Sequence, residues 1–373
     1  MEVEKVLISG ATGFLGGAIL MEALRRGPVD RLLLLARGKT AEHALQRVRD
    51  NLRGFAADER LLASLSEKQI LCADLETVSE CSDDPRLDQV ATVIHSAALA
   101  TFSNNPALDR INVEGTRALA RLMHRRPALR RFFFVGTAMA CGPEADAGAY
   151  IGELEELPLH DVHLVPYTHS KALAEHVLRQ EFPDLPAIML RPSIIVGDSH
   201  LGCAASQSIF WVFLVAHMLG AFTVELDAKV DVVPVDWCAR AILDLADKPA
   251  LRQKVYHLSA GEASSVTFRE IDFVLAQARG TAPMAPSYRR IPATQLRSLL
   301  PKMRECIPGC NDRLLMRALK LYGGFAGLGY VFDNAHILAE DIPAPPRFTD
   351  YLDLCFQSCK NVPIANQMEW DFK

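Results

Sequence analysis

KVLISGATGFLGG, Lys5 to Gly17, is the stretch that decides the fold. Val6, Leu7 and Ile8 make a short aliphatic run of the kind that forms a strand buried on both faces. Glycines follow at spacing three, Gly10, Gly13 and Gly16, and from Phe14 to Leu24 the apolar residues take helical spacing. Strand, glycine turn and helix together present backbone N–H groups and a helix N-terminus to a pyrophosphate. The three glycines serve a sharp turn, close approach of backbone to phosphate, and close packing of helix on strand. The spacing is G-x-x-G-x-x-G rather than G-x-G-x-x-G. A tight β-to-α connection would also use glycine, but a place one strand from the N-terminus favours the cofactor reading.

Downstream, short apolar runs alternate with helical patterns. Arg31–Ala36, Gln69–Cys72, Ala91–His95 and Arg131–Val135 read as strands two to five, with helices near Ala41–Leu52 and Asn112–Met123 between them. This alternation predicts an α/β fold, a doubly wound parallel (Rossmann) sheet with ligand at the carboxyl ends of its strands. Arg37, Asp74, Ser96 and Thr137 all fall at such ends. A basic residue closing the second strand suits a 2′-phosphate, so Arg37 points to NADP(H) rather than NAD. Asp74 can accept from an adenine amino group, and the small residues Ser96, Ala97 and Ala98 leave room for a cofactor against the chain.

At 373 residues, half of them hydrophobic and with a net charge of only −5, the composition is globular and excludes a general nucleic-acid binder. The glycine pattern begins within the first ten residues, which argues against a signal peptide and for a cytoplasmic protein. The nine cysteines are then expected as reduced thiols. Cys306/Cys310 and Cys355/Cys359 have C-x-x-x-C spacing, but the second pair sits in an amphipathic helical pattern where small buried Cys is ordinary, and His160 and His163, at i, i+3, have no third ligand placed near them. No metal is expected. Ile209–Val224, broken by His217 and Gly220, is the longest apolar run and is shorter than the roughly 20 residues of a membrane span. It reads as a buried helix or substrate cap, with an interfacial helix in peripheral membrane contact as the alternative.

The candidate chemistry lies in Pro166–Phe182, PYTHSKALAEHVLRQEF. Pro166 suits a first helical turn. Tyr167 and Lys171, at i and i+4, project from one face. The ammonium is expected to stabilise phenolate and lower the Tyr167 pKa toward the working range. A phenol so placed exchanges a proton with a carbonyl oxygen during hydride transfer, and Thr137 can give the same oxygen a second hydrogen bond. The strand Ala187–Leu190 then runs into Arg191-Pro192-Ser193, whose backbone can meet a nicotinamide carboxamide.

On these residues the chain resembles an extended short-chain dehydrogenase/reductase, of the thioester-reductase and fatty-acyl reductase (male-sterility) branch. The resemblance rests on GATGFLGG (Gly10–Gly17), VIHSAALATF (Val93–Phe102), NVEGTR (Asn112–Arg117), YTHSKALAE (Tyr167–Glu175), RPSIIVGDS (Arg191–Ser199) and DVVPVDWCARAI (Asp231–Ile242). It covers residues 1 to about 262; beyond them only FDN at Phe332–Asn334 and FTDYL at Phe348–Leu352 are suggestive. The resemblance implies NADPH contacts from Gly10, Thr12, Gly13, Phe14, Leu15, Gly16, Arg37, Asp74, Leu75, Ala97, Tyr167, Lys171, Pro192, Ser193 and Ile194. It implies catalytic roles for Thr137, Tyr167 and Lys171. Gly136 departs from the family's usual Ser, which leaves the hydroxyl role to Thr137.

The implied activity is NADPH-dependent reduction of an acyl thioester, on coenzyme A or an acyl-carrier protein, to the aldehyde, and to the alcohol if a second hydride follows. The implied organisation is a nucleotide-binding part, 1–200 with 230–262 returning to it, and a smaller, mainly helical substrate-binding part, 201–229 and 263–373. Arg289–Lys320 holds eight Lys/Arg against Glu305 and Asp312, and Arg121–Arg131 is a second basic stretch. Either surface would steer an anionic carrier, although a solvated helix face would look the same. The alternative enzyme is a ketone or hydroxyl dehydrogenase of the same fold, acting on a sterol-like, flavonoid-like or sugar-nucleotide substrate. A non-enzymatic redox sensor would be expected to lack the Tyr/Lys pair.

Overall fold

A computed structural model describes residues 4–143, 148–159 and 162–368. Seven parallel strands form the central sheet: β1 (Lys5–Ser9), β2 (Leu32–Leu35), β3 (Ile70–Leu71), β4 (Val90–His95), β5 (Arg131–Val135), β6 (Ala187–Pro192) and β7 (Val255–Leu258), in the spatial order β7-β6-β5-β4-β1-β2-β3. The order reverses between β1 and β4, and this is the switch point at which an open α/β sheet forms its ligand crevice. β3 is two residues shorter than the sequence suggests: Gln69 belongs to the preceding 3₁₀ turn, and the ladder ends at Leu71.

Both faces of the sheet are covered, so its strands are apolar throughout. Ile8, Leu34, Ile94 and Phe133 point into one core with α1 (Phe14–Arg26), α2 (Ala41–Gly54) and a helix at Val235–Asp247. Leu7, Leu33, Val93, Phe132 and Phe134 point into the other, with α3 (Gly115–Met123) and α4 (Pro166–Glu181). Each fully buried aliphatic or aromatic side chain contributes about 1.5–3 kcal/mol. The helix expected from Asn112 begins earlier, as a π-helical turn over Asp109–Glu114 that passes into α3. Such turns are frequent at functional sites, and this one carries Asn112.

The remaining chain is mainly helical: α5 (Phe210–Leu219), α6 (Phe268–Arg279), α7 (Leu300–Cys306), α8 (Asp312–Leu328) and α9 (Phe348–Cys359). Trp211, Val215, Leu296, Leu319 and Tyr322 form one core there, and Phe210, Phe213, Leu275, Phe348 and Cys355 another. Two short parallel ladders stand apart from the central sheet: Val232–Val233 beside Ile194–Ile195, and Val331–Phe332 beside Tyr150–Ile151. Buried Asp231 accepts from the Ala260 and Phe332 amides at 2.7 and 3.1 Å. Among the described residues no helix is long and apolar enough to cross a membrane.

Candidate active site

The crevice is built at the ends of β1 and β4. Gly10 takes φ +83°, a left-handed conformation that favours glycine. A Cβ on Gly10 would stand 2.7 Å from the Ala97 amide, and one on Gly16 would run into the Gly10 carbonyl. The turn is therefore packed against both β4 and its own helix. The first-turn amides of α1 lack carbonyl partners one turn earlier and carry the positive end of the helix dipole. A bare backbone cradle facing a helix N-terminus fits a dinucleotide pyrophosphate.

His95 braces the crevice from below. Its Nδ1 lies 2.7 Å from Ser9 Oγ and its Nε2 2.9 Å from Thr116 Oγ1. Thr116 donates its own proton to the Asn112 carbonyl, so the imidazole proton sits on Nε2 and Nδ1 accepts from Ser9. Burial, helped by the Lys171 charge, pulls the His95 pKa down to about 3 and keeps the ring neutral. Asn112 holds the next loop: its amide pairs with Leu99 N and O and donates to Ser170 Oγ on α4 at 2.9 Å.

From the crevice a continuous cavity of about 550 Å³ runs into the helical region. Gly10, Thr12, Gly13, Phe14, Leu15 and Gly16 line its mouth. Thr137, Tyr167, Lys171, Pro192, Ser193 and Ile194 line its middle. An apolar part of its lining joins Ile209, Val212, Phe213 and Ala216, at i, i+3, i+4, i+7, with Phe222, Phe268, Tyr322 and Phe325. The run Ile209–Val224 is thus a buried helix and strand whose one face lines a chamber. Ile209, a β-branched residue at φ +65°, is strained where the chamber begins.

Tyr167 is partly buried, its ring 6.3 Å from that of Phe102, edge to face. Phe102 in turn meets Tyr322 and Phe325 at 5.7 and 5.9 Å. Lys171 is buried, with Nζ 4.3 Å from the centre of the Phe134 ring. Thr137 caps the short helix Ala138–Cys141 and lies 3.5 Å from the Pro192 carbonyl.

The expected acidification of the phenol is corrected here. Desolvation dominates and pushes the Tyr167 pKa up to about 12. Burial also draws Lys171 down to about 7, against the opposing pull of Glu175. The pair is thus a protonated phenol beside an amine poised between charged and neutral. Glu175 is itself clamped by Arg191 on β6, at 3.1 Å to Nε with a second contact to Nη2, which locks α4 onto the sheet.

Four expected contacts stand outside the cavity walls. Arg37 is exposed at the end of β2, and its carbonyl accepts from Arg47 Nη1 at 2.6 Å, so two guanidinium-bearing residues adjoin there. Asp74 Oδ1 accepts from the Glu76 and Thr77 amides and closes its own turn. Leu75 is buried beside Gly115, and the Ala97 amide donates to Ser9 Oγ. His160 lies outside the described residues; His163 pairs with Thr168 Oγ1 at 3.1 Å. Cys355 and Cys359 are buried on α9. Among the described residues, the one group of three potential metal ligands is Asp198, His200 and Asp236, where Arg240 already pairs with Asp236. Sequence reasoning missed Phe102 and Asn51 as wall residues. Phe102 is one aromatic in a loop, and Asn51 sits in a charged helix 34 residues beyond Gly17, with no local pattern to mark it.

The family model described as male sterility protein, an NAD-binding domain, matches residues 8–242. Human fatty acyl-CoA reductase 1 is 27% identical over 341 residues, which cover 78% of this chain and 64% of that protein. The L-2-aminoadipate reductase large subunit of Penicillium chrysogenum is 30% identical over 278 residues, 68% of this chain and 19% of that protein. The chain thus spans less than two thirds of these relatives. Among solved structures, the terminal R domain from the myxalamid PKS-NRPS biosynthetic pathway superposes with a TM-score of 0.75. It is 24% identical, over 96% of this chain and 91% of that one, and the likeness is one of fold.

Proposed function

The chain belongs to the male sterility protein family of NAD-binding domains, and from that premise we propose that it reduces an acyl thioester with NADPH. One observation carries the reading: the cavity joins the glycine crevice to an apolar chamber, with Tyr167, Lys171 and Thr137 at the junction. The names of the fatty acyl-CoA and aminoadipate reductases support the thioester class. NADPH rather than NADH is supported by Arg37 at the end of β2, with Arg47 bonded to its carbonyl.

When bound, the reduced nicotinamide supplies hydride to the thioester carbonyl carbon. The chain's residues do the rest. Ile209, Val212, Phe213 and Ala216 take the acyl chain out of water. Tyr167 holds its proton on the phenol oxygen and gives it to the carbonyl oxygen as charge develops. Lys171 offsets the phenolate left behind, and the Thr137 hydroxyl donates to the same oxygen. The resulting hemithioacetal collapses to aldehyde and thiol. A second round would yield the alcohol.

The carrier is proposed to be coenzyme A or an acyl-carrier protein, both anionic. The exposed face of α8, with Arg313, Arg317 and Lys320, suits either. NADPH oxidation with acyl-CoAs, acyl-carrier proteins and free ketones tests the reading. Thiol release with one NADPH consumed per thiol for the aldehyde, or two for the alcohol, is the expected result. Turnover of ketones alone would select the ketone or hydroxyl dehydrogenase instead.

A further inference from the structure

We infer that Asn51 is a positioning residue that holds the glycine turn in its phosphate-receiving shape, and that Gly17 is glycine in order to admit it. The inference rests on the dinucleotide reading above. Asn51 stands on α2, remote in sequence from the turn, yet its Nδ2 donates to both the Ala11 and the Gly13 carbonyls, each at 3.0 Å. Gly10 O is taken by the Gly13 amide at 2.8 Å. Three carbonyls of the turn are thus fixed, and carbonyls directed at an amide donor are directed away from an anion. An amide has two N–H donors, so one side chain serves both carbonyls.

The space for that amide exists because residue 17 has no side chain. A Cβ on Gly17 would collide with Asn51 Nδ2 and come within 2.6 Å of Phe55. Gly17 is one turn inside α1, where glycine costs helix stability relative to alanine and no positive φ requires it. Its bare backbone lets α2 approach. Arg47, one turn before Asn51 on α2, bonds the Arg37 carbonyl at the end of β2. One face of α2 therefore braces both the pyrophosphate turn and the strand end proposed to meet the 2′-phosphate.

NADPH and adenosine 2′-monophosphate affinities of the full chain, measured by fluorescence and calorimetry, test this for Asn51→Ala and Gly17→Ala. The dissociation constant for NADPH should rise about 10- to 30-fold in both, as expected for two lost hydrogen bonds. In Asn51→Ala the constant for adenosine 2′-monophosphate, which has no pyrophosphate, should stay within about twofold, since Arg47 is untouched. In Gly17→Ala the added Cβ meets both Asn51 Nδ2 and Phe55, so NADPH binding should weaken as the amide is pushed off the turn, although alanine by itself favours the helix. Unchanged NADPH affinity in either variant would overturn the proposal, as would equal weakening of both ligands in Asn51→Ala. A wild-type chain that binds neither ligand would remove the dinucleotide reading itself.

Discussion

Lys171 Nζ lies 4.3 Å from the centre of the Phe134 ring, and its side chain is buried. The ring attracts the ammonium, but desolvation is larger and brings the amine to about 7. Tyr167, at about 12, keeps its proton across the whole physiological range. The group that sets the alkaline limit is therefore the lysine and not the tyrosine. A lysine loses its charge as pH rises through its pKa, so kcat/KM should fall about tenfold per pH unit above about 7. Lys171→Arg, which stays charged, should move this limb up while lowering the maximum through its bulk. A limb unmoved in the arginine variant would assign the titration elsewhere.

Tyr167→Phe removes the proton donor and little else, because the ring contact with Phe102 persists. Reductive turnover should fall about 10²- to 10⁴-fold with NADPH affinity within a few-fold of wild type. Retained turnover in stopped-flow NADPH oxidation would refute the proposed chemistry.

The sheet was legible because burial on both faces leaves a sequence mark. Ile8 and Leu7 must both be apolar when they enter opposite cores, and glycine must follow where Gly10 meets the Ala97 amide. Helical spacing likewise put Tyr167 and Lys171 on one face. What the spacing could not carry was the dielectric: two groups one turn apart read as an acidified phenol until the burial of both is known. Long-range contacts were equally silent. Asn51 over the turn, and Phe102 between Tyr167 and Phe325, are meetings of distant segments with no local periodicity.

Ala216 is the smallest side chain on the chamber face of α5. Ala216→Phe should shorten the chamber from the side. Each methylene denied burial loses about 0.8 kcal/mol, about fourfold in affinity. The KM for long acyl thioesters should rise by that factor per excluded methylene, with short-chain substrates unaffected. A uniform change across a chain-length series would place the acyl chain elsewhere.

Arg313, Arg317 and Lys320 face solvent on α8, whereas Arg304 and Arg290 are already paired with Asp312 and Glu225. Arg313→Glu with Arg317→Glu should raise the KM for a carrier-bound substrate about 3- to 10-fold at low salt. The effect should fade near 0.5 M salt, where the Debye length is only about 4 Å. A KM indifferent to the reversal would remove this face from docking.

Asp231 and His95 are both buried and should shape acid stability in opposite senses. Burial raises the Asp231 carboxyl to about 6, despite hydrogen bonds that favour its charge. Between about 6 and its ordinary 3.9 the folded chain holds a proton there that the unfolded chain does not, so acidification stabilises the fold. His95, at about 3 when folded and about 6.5 when unfolded, works the other way: the unfolded chain takes the proton first, and acidification destabilises. The two slopes oppose each other between about pH 6 and pH 4. Asp231→Asn removes only the stabilising one. Its unfolding free energy should therefore fall, relative to wild type, by up to about 1.4 kcal/mol for each unit of acidification in that window. Parallel pH profiles for the two chains in urea denaturation would mean that Asp231 is ionised throughout, held by the Ala260 and Phe332 amides more strongly than burial opposes it.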